Sequence, residues 1–261
     1  MNEAPSTEKY ISYKDNVREL GLTLEKAISI SQSFSNQNVG PKVYWLSILM
    51  IRYINIGVAI NRLVPTEGKS PSSSHSWDYG AIATLTRTFI ETFHAFYYIG
   101  VEDVEEEEWS LRISVFHLHD YSRREEIFKL MGDHSQKDSY QKIKEELLEQ
   151  ISRNTKFIML HKDVQTKIRK CQIAFLVDKN EIAKKIDPEN SLFHFAYKFL
   201  SIQTHSLPMS YFRTTREGRG TGVENKIDKE YINMALCWVV NYLKKGNQYM
   251  EVISQKLKPP V

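Results

Sequence analysis

The chain has 261 residues, with 35 Lys and Arg against 32 Asp and Glu, a net charge of +3. Its 11 Gly and 8 Pro make about 7% of the residues, against a usual share of roughly 12%. None falls between Val101 and Met131 or between Asp133 and Asp187, which excludes a meander of short strands, a collagen-like repeat and a Pro/Gly-rich disordered chain.

Taken in chain order, apolar residues at three- and four-residue spacing predict a first helix from about Thr7 to Ser35, with a weak point at Gly21. The polar, acidic start MNEAPSTEKY is unlike a secretory leader, so a cytoplasmic protein is expected. A second helix runs from Pro41, a suitable first-turn residue, to Leu63. It is strongly apolar, but Arg52, Asn55, Asn61 and Arg62 interrupt it. The uncharged runs 43–51 and 53–61 fall well short of the ~20 residues needed to cross a bilayer. A buried core helix, with no membrane partner, is the expectation. The loop Pro65–Ser76 leads to a third helix from about Ser76 or Trp77 to Ile99, with Gly100 just beyond its end.

Acidic residues crowd 102–108 and suit the positive end of a fourth helix that continues to Met131 and stops at Gly132. Residues 137–176 read as one or two amphipathic helices, Lys179–Ile186 as a short one, and the stretch after Asp187-Pro188 as another to about Thr204. The segment RTTREGRGTG sets Arg213, Arg216 and Arg219 among glycines, and a last helix spans about Asn225 to Leu257. The fold expected is all-α: one domain over 1–261, a bundle of about seven to nine helices with no significant sheet. Residues 1–40 supply an N-terminal helix, 41–215 a core bundle with a polar pocket, and 225–258 a C-terminal helix packed on it. The 12 Phe, 14 Tyr and 4 Trp provide ample core. Cys171 and Cys237, without ligand spacing, read as small buried hydrophobes. Charge is uneven, about +1 over 1–100, −7 over 101–150 and +9 over 151–261. Either solvated faces of opposite sign or a surface for a polyanion accounts for it.

Three polar sets stand out. On the third helix Arg87, Glu91 and His94 fall within about 60° of one another at 100° per residue. That places an anion-binding guanidinium, a carboxylate to orient it and an acid–base imidazole on one face. An i,i+4 ion pair beside a hydrogen-bonded histidine fits equally. On the fourth helix, Arg112, His119 and Asp120 lie near one face and His117 is turned away, so the two histidines cannot share one ion. Tyr197, Ser201 and His205 follow at four-residue spacing near a helix end, where they can serve a site or cap the helix. Arg213, Arg216 and Arg219 are candidates for substrate or partner contact. No metal ligand set is assigned. Glu91-x-x-His94 is the ligand pair of di-iron bundles, but such sites need a second copy, and the sequence has none.

Arg87-x3-Glu91, Arg112 with Asp120, and Tyr197-x3-Ser201-x3-His205 resemble an uncharacterised bacterial family of all-helical proteins, over about residues 40–215. That resemblance implies no activity. Arg87-x6-His94, Arg112-x4-His117 and Arg112-x6-His119 are similar to the Arg-x4-6-His hallmark of the HEPN superfamily of all-α domains. This second resemblance implies a metal-independent ribonuclease or RNA-binding effector of a toxin or antiviral system. It would act as a homodimer on RNA or with an antitoxin-like protein partner, without a cofactor. Arg and His would contact the scissile phosphate. The alternative is a non-catalytic interaction module whose polar stripe is structural.

Overall fold

The computed structural model describes residues 11–35, 39–189, 193–212 and 218–257. Among them lie α1 (Tyr13–Ser33), α2 (Pro41–Leu63), α3 (Tyr79–Phe96), α4 (Glu106–Leu130), α5 (Lys137–Arg153), α6 (Thr155–Met159), α7 (Lys162–Arg169), α8 (Lys179–Ile186), α9 (Phe193–Thr204), α10 (Pro208–Phe212) and α11 (Lys226–Leu257). No strand occurs among the described residues; two isolated bridges, Ser72 with His75 and Trp77 with Gly222, tie loops. The fold is all-α. The chain forms two compact units: Met1–Gly100 with Asp187–Val261, and Val101–Ile186.

In the first unit, α1 starts where Ser12 Oγ accepts from the Asp15 N–H, and its buried stripe of Tyr13, Asn16, Leu20, Leu24 and Ala27 follows the helical period. It packs on α11 and α2. Asp78 caps α3 in the same way, its carboxylate accepting from the Ala81 N–H. Tyr53 of α2 sits among Phe89, Phe93 and Phe96 of α3, with ring centroids 5.1–5.7 Å away. Each such fully buried aromatic contributes about 1.5–3 kcal/mol. By length and hydropathy α2 passes as a membrane span. It packs on α3 and α1 with Leu46, Met50, Tyr53 and Ile60 buried, and presents Tyr44, Ile48 and Ile51 outward.

Gly100 does not follow a helix C-terminus as expected: it lies within a π-helical turn, Tyr97–Val101. Its missing side chain permits close approach to α2, since a Cβ there would fall 2.3 Å from Leu46 Cδ1.

The second unit encloses its own core of Leu111, Val115, Leu118, Ile151, Phe157 and Ile168. That self-sufficient cluster is why the acidic middle of the chain forms a separate unit. Residues 137–176 hold three helices rather than one or two, because side chains restart the chain twice. Asn154 Oδ1 accepts from the Phe157 N–H to cap α6, and the His161 ring accepts from the Asp163 N–H at α7. Cys171, at φ 55°, follows the end of α7.

Candidate functional site

In the first unit α9 runs antiparallel across α3: Phe193 meets His94, Tyr197 meets Glu91 and Arg87, and Gln203 meets Gly80. Gly80, Thr84, Arg87 and Glu91 recur at four and three residues and so line the seam. The hydroxyls along it are spent locally. Thr84, Thr88 and Thr92 each donate to the carbonyl four residues earlier, and Ser201 donates to the Tyr197 carbonyl. Arg87 and Glu91 of α3 are left to meet the Tyr197 hydroxyl and the His205 ring across it.

Arg87 is the hub. Its Nη2 donates to Glu91 Oε1 at 3.2 Å and to Tyr197 Oη at 2.9 Å, and Tyr197 Oη donates to Glu91 Oε1 at 2.5 Å. Its guanidinium lies 4.8 Å from the centre of the Tyr197 ring. Nη1 stands 2.9 Å from His205 Nε2. An arginine can only donate, so this contact makes Nε2 the acceptor and places the imidazole proton on Nδ1. The Arg87 side chain is 12% exposed, whereas His205 is at the surface. The cluster thus joins a largely buried, fixed cation to an imidazole at the surface.

His94 shares the helical phase of Arg87 but not its surroundings. It is 3% exposed, stacks beside Phe193 with centroids 5.1 Å apart, and lies 3.4 Å from Tyr242 Oη. Helical phase sets a direction and leaves depth open; at this end of α3, residues of α9 and α11 cover the stripe. The wheel trio therefore divides, Arg87 and Glu91 in the cluster and His94 in the core.

Arg112 and Asp120 belong to the second unit. Arg112 is 2% exposed and held by Glu102 at 2.6 Å and Glu108 at 2.5 Å. Burial alone would raise the Glu102 carboxyl. Hydrogen bonds from Arg112 and Lys185 outweigh it and hold the group below the usual glutamate range. Asp120 pairs on the surface with Arg124. His117 and His119 are lowered first by burial. Arg213 and Arg216 lie outside the described residues.

Arg219 is placed. Its Nε donates to Asp228 Oδ1 at 3.2 Å and its guanidinium lies 4.9 Å from the Tyr231 ring centre. Asp228, 3% exposed, also accepts from the Gly220 N–H and from Asn225 Nδ2. Arg219, Gly220, Asp228 and Tyr231 line a cleft of about 460 Å³ together with Trp77, Tyr79, Phe199 and Gln203. Burial pushes the Tyr79 hydroxyl well above its ordinary range, so it stays protonated. The aromatic wall of this cleft, Trp77, Tyr79, Phe199 and Tyr231, is not among the residues the sequence singles out. The cleft's marks were Arg219, a candidate contact residue, and the glycines around it, and those glycines are needed: Gly218, Gly220 and Gly222 all have positive φ. Gly222 accepts from the Trp77 N–H. Among the described residues no three His, Cys, Asp or Glu side chains are placed to hold a metal ion.

No curated protein and no solved structure matches the chain significantly. The α2–α3 framework, the α9 residues that complete the Arg87 cluster, the whole second unit and the first glycines of the cleft all fall within residues 43–220, the span matched by one family model. By that match over more than half its length, the chain belongs to DUF5677, a family of unknown function.

Proposed function

We propose that this protein binds RNA through the Arg87–His205 cluster and cleaves it without a metal. The observation that supports the reading is the 2.9 Å contact between Arg87 Nη1 and His205 Nε2. It pairs a permanent cation with an imidazole nitrogen that carries no proton. A phosphodiester entering here takes the Arg87 donor through a non-bridging oxygen and frees Nε2. The adjacent ribose 2′-hydroxyl then attacks phosphorus and passes its proton to Nε2. The 5′-oxygen leaves and takes a proton from water, giving a 2′,3′-cyclic phosphate and a 5′-hydroxyl end. Glu91 and Tyr197 hold the guanidinium in place through the attack. The imidazole proposed here is His205, just past the end of α9, and not the motif partner His94, which packs in the core.

Incubation of purified protein with single-stranded RNA in excess EDTA tests this. Wild type should cleave, and His205→Ala should lose about 100-fold or more in rate, the usual scale of general acid–base catalysis. Cleavage unchanged in both His205→Ala and Arg87→Met would overturn the proposal. The active form in this reading is a homodimer, to be checked by sedimentation.

A second reading is favoured by α10, none of whose residues is buried and which presents Met209, Tyr211 and Phe212. An interaction module would use that apolar surface, and the Arg87 network would be purely structural. It predicts a lowered melting temperature in Arg87→Met with no RNA cleavage to lose.

A further inference from the structure

Several features of the first unit fall outside the Arg87 chemistry, and the cleft beside α3 and α9 has the strongest set. Its volume of about 460 Å³ lies in the range of small-molecule sites, roughly 300–1,000 Å³. The wall is aromatic in a particular way. Tyr79 lies 5.9 Å from Phe199 and 5.1 Å from Tyr231, and Phe199 lies 5.3 Å from Tyr231, at interplanar angles of 32–65°. Phe199 and Tyr231 are only partly buried. Such a cluster offers ring faces to a flat ligand.

Two buried donors stand among the lining residues. Trp77 and Tyr79 are 1% and 6% exposed, and neither the indole N–H nor the Tyr79 hydroxyl has a hydrogen-bond partner. Unpaired buried donors cost about 1–3 kcal/mol each, a cost that a ligand accepting from them would relieve.

The charge of the cleft decides which part of a ligand it takes. Among the described lining residues, Asp78 and Asp228 oppose Arg219, whose guanidinium is tied to Asp228 and lies over Tyr231. Among those residues a phosphate would meet two carboxylates and one guanidinium that is already paired. A neutral, planar, hydrogen-bonding ring meets aromatic faces, the Gln203 carboxamide, the Ser76 and Ser210 hydroxyls and carboxylate acceptors. From this we infer that the cleft is a nucleobase-binding pocket, holding the ring of a nucleoside against Tyr79, Phe199 and Tyr231.

Two sources can present that ring: a free nucleoside, or a base within single-stranded RNA. A shallow groove lined by Thr84, Thr204 and Ser206 shares Gly80, Gln203 and Ser210 with the cleft. It leads along the seam toward Arg87. From Gly80 to Arg87 is seven residues of α3, about 10 Å at 1.5 Å per residue, a span that a strand of one or two nucleotides covers. A base in the cleft and a phosphate at Arg87 can therefore belong to one chain.

The test is calorimetric titration of the full-length protein with adenosine, guanosine, cytidine and uridine, with ribose 5-phosphate as the base-free control. At least one nucleoside should bind and the control should not. Ser210→Trp, which fills the mouth from the surface of α10, should weaken nucleoside binding at least tenfold with its melting temperature unchanged. Gln203→Ala, which removes a lining amide without adding bulk, should weaken it severalfold. Arg87→Met should leave it within twofold of wild type, so loss of RNA cleavage and loss of base binding are separable. A ten-nucleotide RNA binding at least tenfold tighter than the nucleoside, with Arg87→Met removing the gain, assigns the ring to RNA; equal affinities assign it to the free nucleoside. Absence of binding for all four nucleosides at millimolar concentration, equal binding of ribose 5-phosphate, or indifference to both Ser210→Trp and Gln203→Ala would overturn the inference.

Discussion

Tyr197→Phe removes one oxygen from the centre of the Arg87 cluster and leaves the ring beneath the guanidinium. The lost hydroxyl donates to Glu91 at 2.5 Å and accepts from Arg87 at 2.9 Å. Hydrogen bonds to charged partners contribute about 1.5–3 kcal/mol each. Here the direct Arg87–Glu91 contact at 3.2 Å survives, and Glu91, 36% exposed, can turn to water. The low end applies to the pair together, about 1.5–2 kcal/mol. With an m-value of roughly 2 kcal/mol/M the urea midpoint should fall by about 0.8–1 M. Because the chain has two compact units, the measurement needs a probe confined to the first. In a Trp109→Phe background the remaining tryptophans, Trp45, Trp77 and Trp238, all lie in that unit. A cycle with Glu91→Gln should give a coupling of about 1 kcal/mol, since the two groups share a bond. A destabilisation below about 0.5 kcal/mol, with no coupling to Glu91, would refute the claim that this network orders the cluster.

In the second unit, Arg112→Ala leaves the Glu102 carboxylate, 13% exposed, without its main partner. A loss of about 3–5 kcal/mol is expected, confined to amide protection within 101–186 by hydrogen exchange. That contribution depends on pH. The Glu102 carboxyl lies below its ordinary value of 4.5 in the folded protein, so the stabilisation is full above that value and is lost as pH falls through the lowered one. The stability gap between wild type and Arg112→Ala should therefore narrow in acid and stay constant from pH 6 to 8. Gly222→Ala places a side chain at φ +79° with its Cβ 2.7 Å from Ser76 Oγ. It should cost about 1–2 kcal/mol from backbone strain alone, read as a lowered melting temperature. Burial raises the Cys237 thiol, an effect that a hydrogen bond from Asn16 only partly offsets. Ellman's reagent at pH 7 should therefore leave Cys237 unmodified in the native protein and modify it in urea, which a Cys171→Ser variant isolates.

The long stretches without Gly or Pro determined the helical class, and the breakers placed most helix ends. Pro41 and Leu63 bound α2 as the sequence predicts, and so do Lys179 and Ile186 for α8, because capping and chain-breaking are local chemistry. Turns made by ordinary residues were invisible, which is why Asn154 and His161 divide 137–169 without warning. The partition into two units was hidden as well. An apolar stripe says that a helix must be covered, and does not say by which partner.

The candidate site shows the same boundary. Arg87 and Glu91 are one turn apart on a single helix, so periodicity alone determined that they face together. Whether the third member is His94 or His205 depends on depth and on a partner helix more than a hundred residues away in the chain. Tertiary packing decided it by covering His94 with Phe193 and Tyr242 and by laying α9 along the seam so that Tyr197 and His205 reach Arg87. The cleft lies further still from what sequence determines, since its rings come from the start of α3, from α9 and from α11. A local pattern specifies one face of one helix; a site built between helices exists only when long-range burial has chosen their neighbours.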